Sequence, residues 1–397
     1  MIKKCISKEW KFKDRAGEYT DIDLPHDYAI GKDRSPDVPG GSSNGFYPDS
    51  KGKYVKFLKF DEGKHYILDI DGAYMCTQVF LNENQIGYHP HGYTPYLVEL
   101  TPYILKNISN RLEITTTVLP MSTRWYSGNG IYRDVFLWEG GDIRIEPWDM
   151  FISTVSANED RAEICLKFAV SADRDADIKV CFHVIAKDGT TVKSEEVCMQ
   201  TRTYSKMEHE YRMKLDYPCL WDTENPYLYT LKTEIYEGNV LTDTSVNDFG
   251  IRTIFADAKQ GLLLNGKKIK LRGGCIHHDH GVLGAAEYPA ACRRKLAKLK
   301  EAGFNAVRIA HNPPSTVLLN ICDEIGMIVM DEAFDCWRRF KGGEYNYHFW
   351  FDDWWQRDIA YMVLRDRNHP CVFAYSTGNE IPEGGQPEGG EGSKKLA

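Results

Sequence analysis

Near Asp257 the spacing of apolar residues in this chain changes, and that change limits the folds open to it. Before it, apolar residues recur at every second position in short runs. Tyr66, Leu68 and Ile70 make one run; Leu112, Ile114, Thr116 and Val118 make another; Ile164, Leu166, Phe168 and Val170 make a third. Such alternation turns one face of a strand to a core and the other to water, as in antiparallel sandwiches. Beyond Asp257, short apolar runs alternate with stretches of helical spacing. Residues 289–303 put Cys292, Leu296 and Leu299 on one helical face, with a Pro in the first turn and Gly303 as the stop. Strands at 268–274, 306–310, 328–331 and 372–376, with helices at 289–303, 316–325 and about 348–365, predict four strand–helix repeats of a parallel barrel.

These patterns predict a multidomain β plus α/β chain. A jelly-roll-like β-sandwich is expected over 1–140 and an immunoglobulin-like β-sandwich over 141–255. The first half of a (β/α)8 TIM barrel is expected over 256–397. The runs Ile178, Val180, Phe182, Val184 and Tyr229, Leu231, Thr233, Ile235, with a hairpin signal at Asp188-Gly189, support the middle unit. A full eight-stranded barrel takes about 250 residues, more than follow Asp257. The chain therefore reads as a fragment of a longer protein, with its tail from Ile381 entering a further helix.

Composition narrows the partners. A net charge of -8 argues against nucleic acid or an anionic membrane, and no apolar run approaches the roughly 18 residues of a membrane span. The start, M-I-K-K-C-I-S-K-E-W, has no apolar core behind its charges and is not read as a signal peptide. Eleven cysteines are scattered without a C-x-x-C pair, which predicts reduced thiols in a cytoplasmic protein without zinc or redox function.

Chemistry gathers where the barrel strands end. The stretch V-F-A-Y-S-T-G-N-E closes a buried strand on Asn379 and Glu380, a carboxamide beside a carboxylate suited to acid/base work. The alternative there is a helix cap. After the first strand come His277, His278, Asp279 and His280; with the second come Arg308, inside the apolar run, and His311. The third brings Asp331, Glu332, Asp335 and Trp337. Asp331 and Glu332 are expected to bond backbone or Arg308 inside the barrel, and Asp335, further out, and Trp337 to meet a substrate. No metal is expected, because H-H-D-H sends neighbours to opposite sides of an extended chain. In the first domain, Arg124-Trp125-Tyr126-Ser127-Gly128-Asn129-Gly130 suits either a loop presenting rings to a sugar or an interdomain contact. The loop Gly40-Gly41-Ser42-Ser43-Asn44-Gly45 is expected to cover something rather than form a strand.

L-P-H-D-Y, D-G-A-Y-M, G-Y-T-P-Y and R-W-Y-S-G-N-G-I-Y-R-D-V resemble the N-terminal sugar-binding domain of glycoside hydrolase family 2. L-W-D-T-E-N-P-Y-L-Y and F-G-I-R resemble its linking domain. R-G-G-C-I-H-H-D-H, F-N-A-V-R-I-A-H-N-P, D-E-A-F-D-C-W and G-N-E resemble its barrel. The resemblance implies a retaining exo-β-glycosidase acting on β-linked glycosides without a cofactor. It implies Glu380 as the proton donor, Asn379 on the sugar's 2-hydroxyl, His277 on substrate, and Arg308 and His311 supporting the carboxylates. The nucleophilic Glu is implied on a later strand, so the fragment alone is expected to be inactive. Some galactosidases of the family carry a metal-binding Glu-x-His where this chain has Asp335 and Trp337. The sugar is read as galactose first, with a β-glucuronidase or β-mannosidase as alternatives and a non-catalytic carbohydrate-binding protein as the rival of another class. A homo-oligomer is among the assemblies expected of the full-length protein.

Overall fold

The computed structural model describes residues 1–15, 17–48, 50–385 and 387–396, with 387–389 by backbone alone. Positions 386 and 397 of the tail lie outside the described residues. The alternating segments build two sandwiches in succession. In the first, a four-stranded sheet (Ile2–Cys5, Val135–Gly140, His65–Ile70, Tyr96–Glu99) faces a six-stranded one that contains Lys51–Leu58, Asn110–Thr117 and Thr77–Leu81. Between them lie Tyr54, Leu68, Ile70, Val79, Leu112, Ile114 and Val135. In the second sandwich, Arg161–Ala172 and Ala176–Ile185 stand at the centres of facing antiparallel sheets. Ile164, Leu166, Phe168 and Val170 meet Ile178, Val180, Phe182 and Val184 in one core, as alternation requires.

A four-stranded parallel sheet follows: β1 (Gly273–Ile276), β2 (Ala306–Ile309), β3 (Ile328–Glu332) and β4 (Val372–Ser376), side by side in chain order. Among the described residues four helices accompany them: α1 (Pro289–Glu301), α2 (Thr316–Ile325), α3 (Phe351–Asp366) and α4 (Pro387–Leu396). The unit is the first half of a TIM barrel. Leu296, Val307, Ile309, Leu319, Cys322, Ile328 and Val329 pack between the sheet and α1 and α2. Ser315 caps α2, its hydroxyl accepting from the Leu318 N–H at 3.0 Å, and Gly326 ends it in the left-handed region.

Two boundaries differ from the sequence expectation. The first parallel strand begins at Gly273 rather than 268, because Asn265 and Gly266, both at positive φ, turn Lys267–Lys268 back against Gly261–Leu264 in a small hairpin. The long helix starts at Phe351, after a 3-10 turn over Tyr347–Phe349. Among the described residues no helix is long and apolar enough to cross a membrane.

Candidate active site

Parallel pairing brings the strand ends level. Ile276 stands beside Ile309 and Glu332 beside Ser376, so the residues that follow each strand share one face. Arg308 grips Glu332 with both arms of its guanidinium, Nε to Oε2 at 3.1 Å and Nη2 to Oε1 at 2.8 Å. Ser376 donates to the same carboxylate at 2.7 Å. Burial pushes the Glu332 carboxyl up, but nearby His311, Arg308 and Ser376 outweigh it and hold it below the usual range. Glu332 thus bonds Arg308 as expected. Asp331 does not: both carboxylate oxygens are buried without a hydrogen-bond partner, and burial together with neighbouring Asp366 drives its carboxyl well above the usual range. Its place on the opposite side of β3 from Glu332 turns it away from Arg308.

Asn379 is buried and oriented from both ends of its amide. Its oxygen accepts from Arg308 Nη2 at 2.8 Å, and its nitrogen donates to Asp335 Oδ1 at 2.8 Å. Glu380 follows it at a left-handed φ of 44° with 73% of its side chain exposed. Its Oε2 lies 3.7 Å from Arg124 Nη2 and 3.6 Å from Lys341 Nζ.

The arm at 124–130 reaches in from the first sandwich. Arg124 binds Asp335 through two parallel hydrogen bonds of 2.9 Å. Trp125 stacks on His277, ring centroids 3.7 Å apart and planes 10° apart, while its indole N–H donates to Asp279 Oδ1 at 2.8 Å. His277 meets His311 edge-on at 5.0 Å. Burial, and then His311, lower the His277 imidazole to about 4, so it is neutral near pH 7. The arm can turn so sharply because Gly130 sits at φ 103°, where a Cβ would fall 2.1 Å from the Tyr54 hydroxyl. Of the two readings of this loop, the interdomain contact is present, and it is made at the cleft itself. The glycine-rich loop before it forms one 3-10 turn, Gly41–Asn44, and lies against the arm, Ser127 donating to Asn44 Oδ1 at 3.4 Å.

Two expected sugar contacts face elsewhere. Tyr126 donates its hydroxyl to Asp27 at 2.6 Å, within its own domain. Trp337 is 2% exposed and its indole N–H bonds the Thr377 carbonyl at 2.9 Å, so its ring is closed to a ligand. The remaining members of the His-rich run are also engaged: His278 with the Ser127 carbonyl at 3.2 Å and His280 with Glu287 at 3.0 Å. Among the described residues no cluster of three or more His, Cys, Asp or Glu is placed to hold a metal ion.

Three contributors escaped the sequence reading. Lys341 donates to the Asn379 carbonyl at 2.5 Å and to the Asp335 carbonyl at 3.0 Å, tying the β3 and β4 ends together. It stands in the irregular loop after β3, where only the Gly342-Gly343 pair marks a tight approach: a Cβ on Gly343 would meet the Met121 carbonyl at 2.1 Å. Asp27, in L-P-H-D-Y, accepts from the N–H groups of Ala29, Asn129 and Ala285 and so fixes the arm's root. Fully buried Arg133 donates to the carbonyls of Pro313, Pro314, Tyr93 and Asp71, holding the His311-Asn312-Pro313-Pro314 loop against the sandwich.

An exposed carboxylate, a fixed amide, a guanidinium and two imidazoles on one barrel face are equipped to move a proton and to bond several hydroxyls. The family model described as "Glycosyl hydrolases family 2" matches residues 143–252, and "Glycosyl hydrolases family 2, TIM barrel domain" matches 256–389. This chain belongs to glycosyl hydrolase family 2. The family-2 barrel match takes in all four strand ends described above. A family-2 member from Bacteroides cellulosilyticus superposes with a TM-score of 0.96 at 33% identity, over 100% of this chain and 54% of that one. A β-glycosidase from Bacteroides vulgatus gives 0.92 at 28% identity, over 100% and 52%. "Beta-galactosidase BoGH2A" of Bacteroides ovatus is 39% identical over 368 residues, 91% of this chain and 43% of its own length. A β-glucuronidase of Bacteroides fragilis is 26% identical over 409 residues, 96% and 56%. The chain thus spans about half the length of the family-2 proteins it matches.

Proposed function

We propose that the full-length protein is a retaining exo-β-glycosidase, with terminal β-linked galactose as its glycone and Glu380 as the acid/base. One observation carries the assignment: Asn379 is locked between Arg308 and Asp335 while Glu380, next to it, stands open to the cleft. A proton donor must reach the glycosidic oxygen, and an oriented amide beside it can hold a neighbouring hydroxyl. In a retaining enzyme the second carboxylate stands about 5 Å away as nucleophile, and here it would come from a later strand of the barrel. The similarity to a β-galactosidase at 39% identity supports galactose. Similarity to a β-glucuronidase supports glucuronic acid as the second reading.

The test uses the full-length protein and a panel of aryl β-glycosides, with Glu380→Ala alongside. Loss of the proton donor should cripple disaccharide hydrolysis far more than cleavage of a dinitrophenyl glycoside, whose leaving group departs unprotonated. Azide should then restore turnover and give a β-glycosyl azide, because it attacks the glycosyl-enzyme without needing a base. Absence of rescue, or an α-azide product, removes Glu380 from this role.

A further inference from the structure

Charges balance around the cleft. Arg124, Arg308 and Lys341 face Glu332, Asp335 and Glu380, each cation lying within 4.0 Å of a carboxylate oxygen. Arg308 is committed to Glu332 on the barrel side. Arg124 is different in kind. It enters from another domain, keeps 36% of its side chain exposed, and presents the planar fork that matches a carboxylate in two parallel bonds. In this cleft one edge of that fork, Nε and Nη2, is already taken by Asp335 at 2.9 Å twice over. Asp335 is itself pinned by the Asn379 amide at 2.8 Å and by Lys341 at 3.2 Å, so it cannot swing aside for a competing anion.

We propose that Asp335 determines glycone specificity by quenching Arg124, so that the cleft favours an uncharged hexose over a uronic acid. The inference rests on the reading of this cleft as a glycoside site. A sugar carboxylate approaching Arg124 would have to share the guanidinium with Asp335 and would meet the Glu380 carboxylate, 3.7 Å from the same nitrogen. Like charges at that spacing repel, and the Nη1–Nη2 edge that Asp335 leaves includes the nitrogen that faces Glu380. Neutral hydroxyls meet neither obstacle, since they bond to the remaining lone pairs of Asp335. His277, neutral near pH 7, adds no cation to the pocket.

The experiment compares full-length wild type, Asp335→Asn, and the Arg124→Met/Asp335→Asn double variant. Calorimetry measures binding of galacturonate and galactose, so the readout survives any loss of turnover. Asp335→Asn should raise the affinity for galacturonate relative to galactose by about five- to twentyfold, with the gain shrinking as salt is added. The double variant should return the ratio to the wild-type value. Asp335→Ser carries the same expectation and serves should the Asn variant not fold. A ratio that stays unchanged in both single variants, or a gain that persists without Arg124, overturns the role of Asp335. Wild type that cleaves galactosides while the ratio stays fixed sinks this inference alone. Wild type that cleaves no aryl glycoside sinks the underlying glycosidase reading.

Discussion

Arg365 of α3 donates to Asp71 of the first sandwich at 2.8 Å, with side chains 4% and 2% exposed. Asp71 also accepts from the Thr316 N–H at 3.1 Å and the Thr316 hydroxyl at 2.8 Å, so a residue of one domain satisfies the first turn of a barrel helix in another. Arg365 completes the join by donating to the Pro314 carbonyl at 2.7 Å. The loop that carries His311 is therefore shaped by both domains together.

Breaking that pair should be costly. Asp71→Ala leaves the buried Arg365 with Asp366 as its one hydrogen-bonded carboxylate, beside the Pro314 carbonyl, and takes the acceptor from the Thr316 N–H at the α2 start. Removing one partner of a buried ion pair typically costs about 3–5 kcal/mol. Urea unfolding should show a loss of that size, and a loss below about 1 kcal/mol would mean the domains do not depend on this contact.

Asp331→Asn should stabilise the protein at neutral pH. Asp331 has its carboxyl raised by burial first and by Asp366 second. A carboxyl raised in the folded state favours folding least once pH climbs past the unfolded value of about 3.9, because the unfolded chain then gives up its proton freely. An amide of the same shape removes that penalty and can donate to Asp366. Thermal melts at pH 7 should rise by a few degrees, while at pH 4 the two proteins should lie closer together. A lower melting temperature at pH 7 would show that Asp331 is held ionised by a partner.

The Arg124–Asp335 contact should fail only in acid. Burial works against the Asp335 anion, but hydrogen bonds from Arg124 and Asn379 and the charge of Lys341 bring it down to about 2. A depressed carboxyl lends stability above its unfolded value of about 3.9, and that stability is lost as pH falls from there towards 2. At pH 6 wild type should exceed Asp335→Asn by about 2 kcal/mol in chemical unfolding, and the gap should narrow below pH 4. A gap that is constant from pH 6 to 3 would place the effect in packing instead of charge.

Much of the scaffold could be read directly. Alternation marked the sandwich strands that carry Leu68 and Ile164, and the helix over 316–325 and the strand over 372–376 stand where their spacing put them. The polar strand ends were legible too, because a charge such as Arg308 inside an apolar run needs a reason. Asp71 and Arg133 gave no comparable signal. Each reads as an ordinary solvated charge until its burial is known.

The sequence by itself determined the succession of strands and helices in the barrel half, and put Arg308, Asn379 and Glu380 at its strand ends, since both follow from local periodicity. Tertiary structure decided what those residues meet. Arg124 and Asp335 are 211 positions apart, and Asp71 and Arg365 are 294 apart. Trp125 reached His277 while Trp337 went into the core, although both sit among polar neighbours in the chain. Periodicity reports that a face is buried, but the partner that buries it is chosen by packing between domains, which no local pattern encodes.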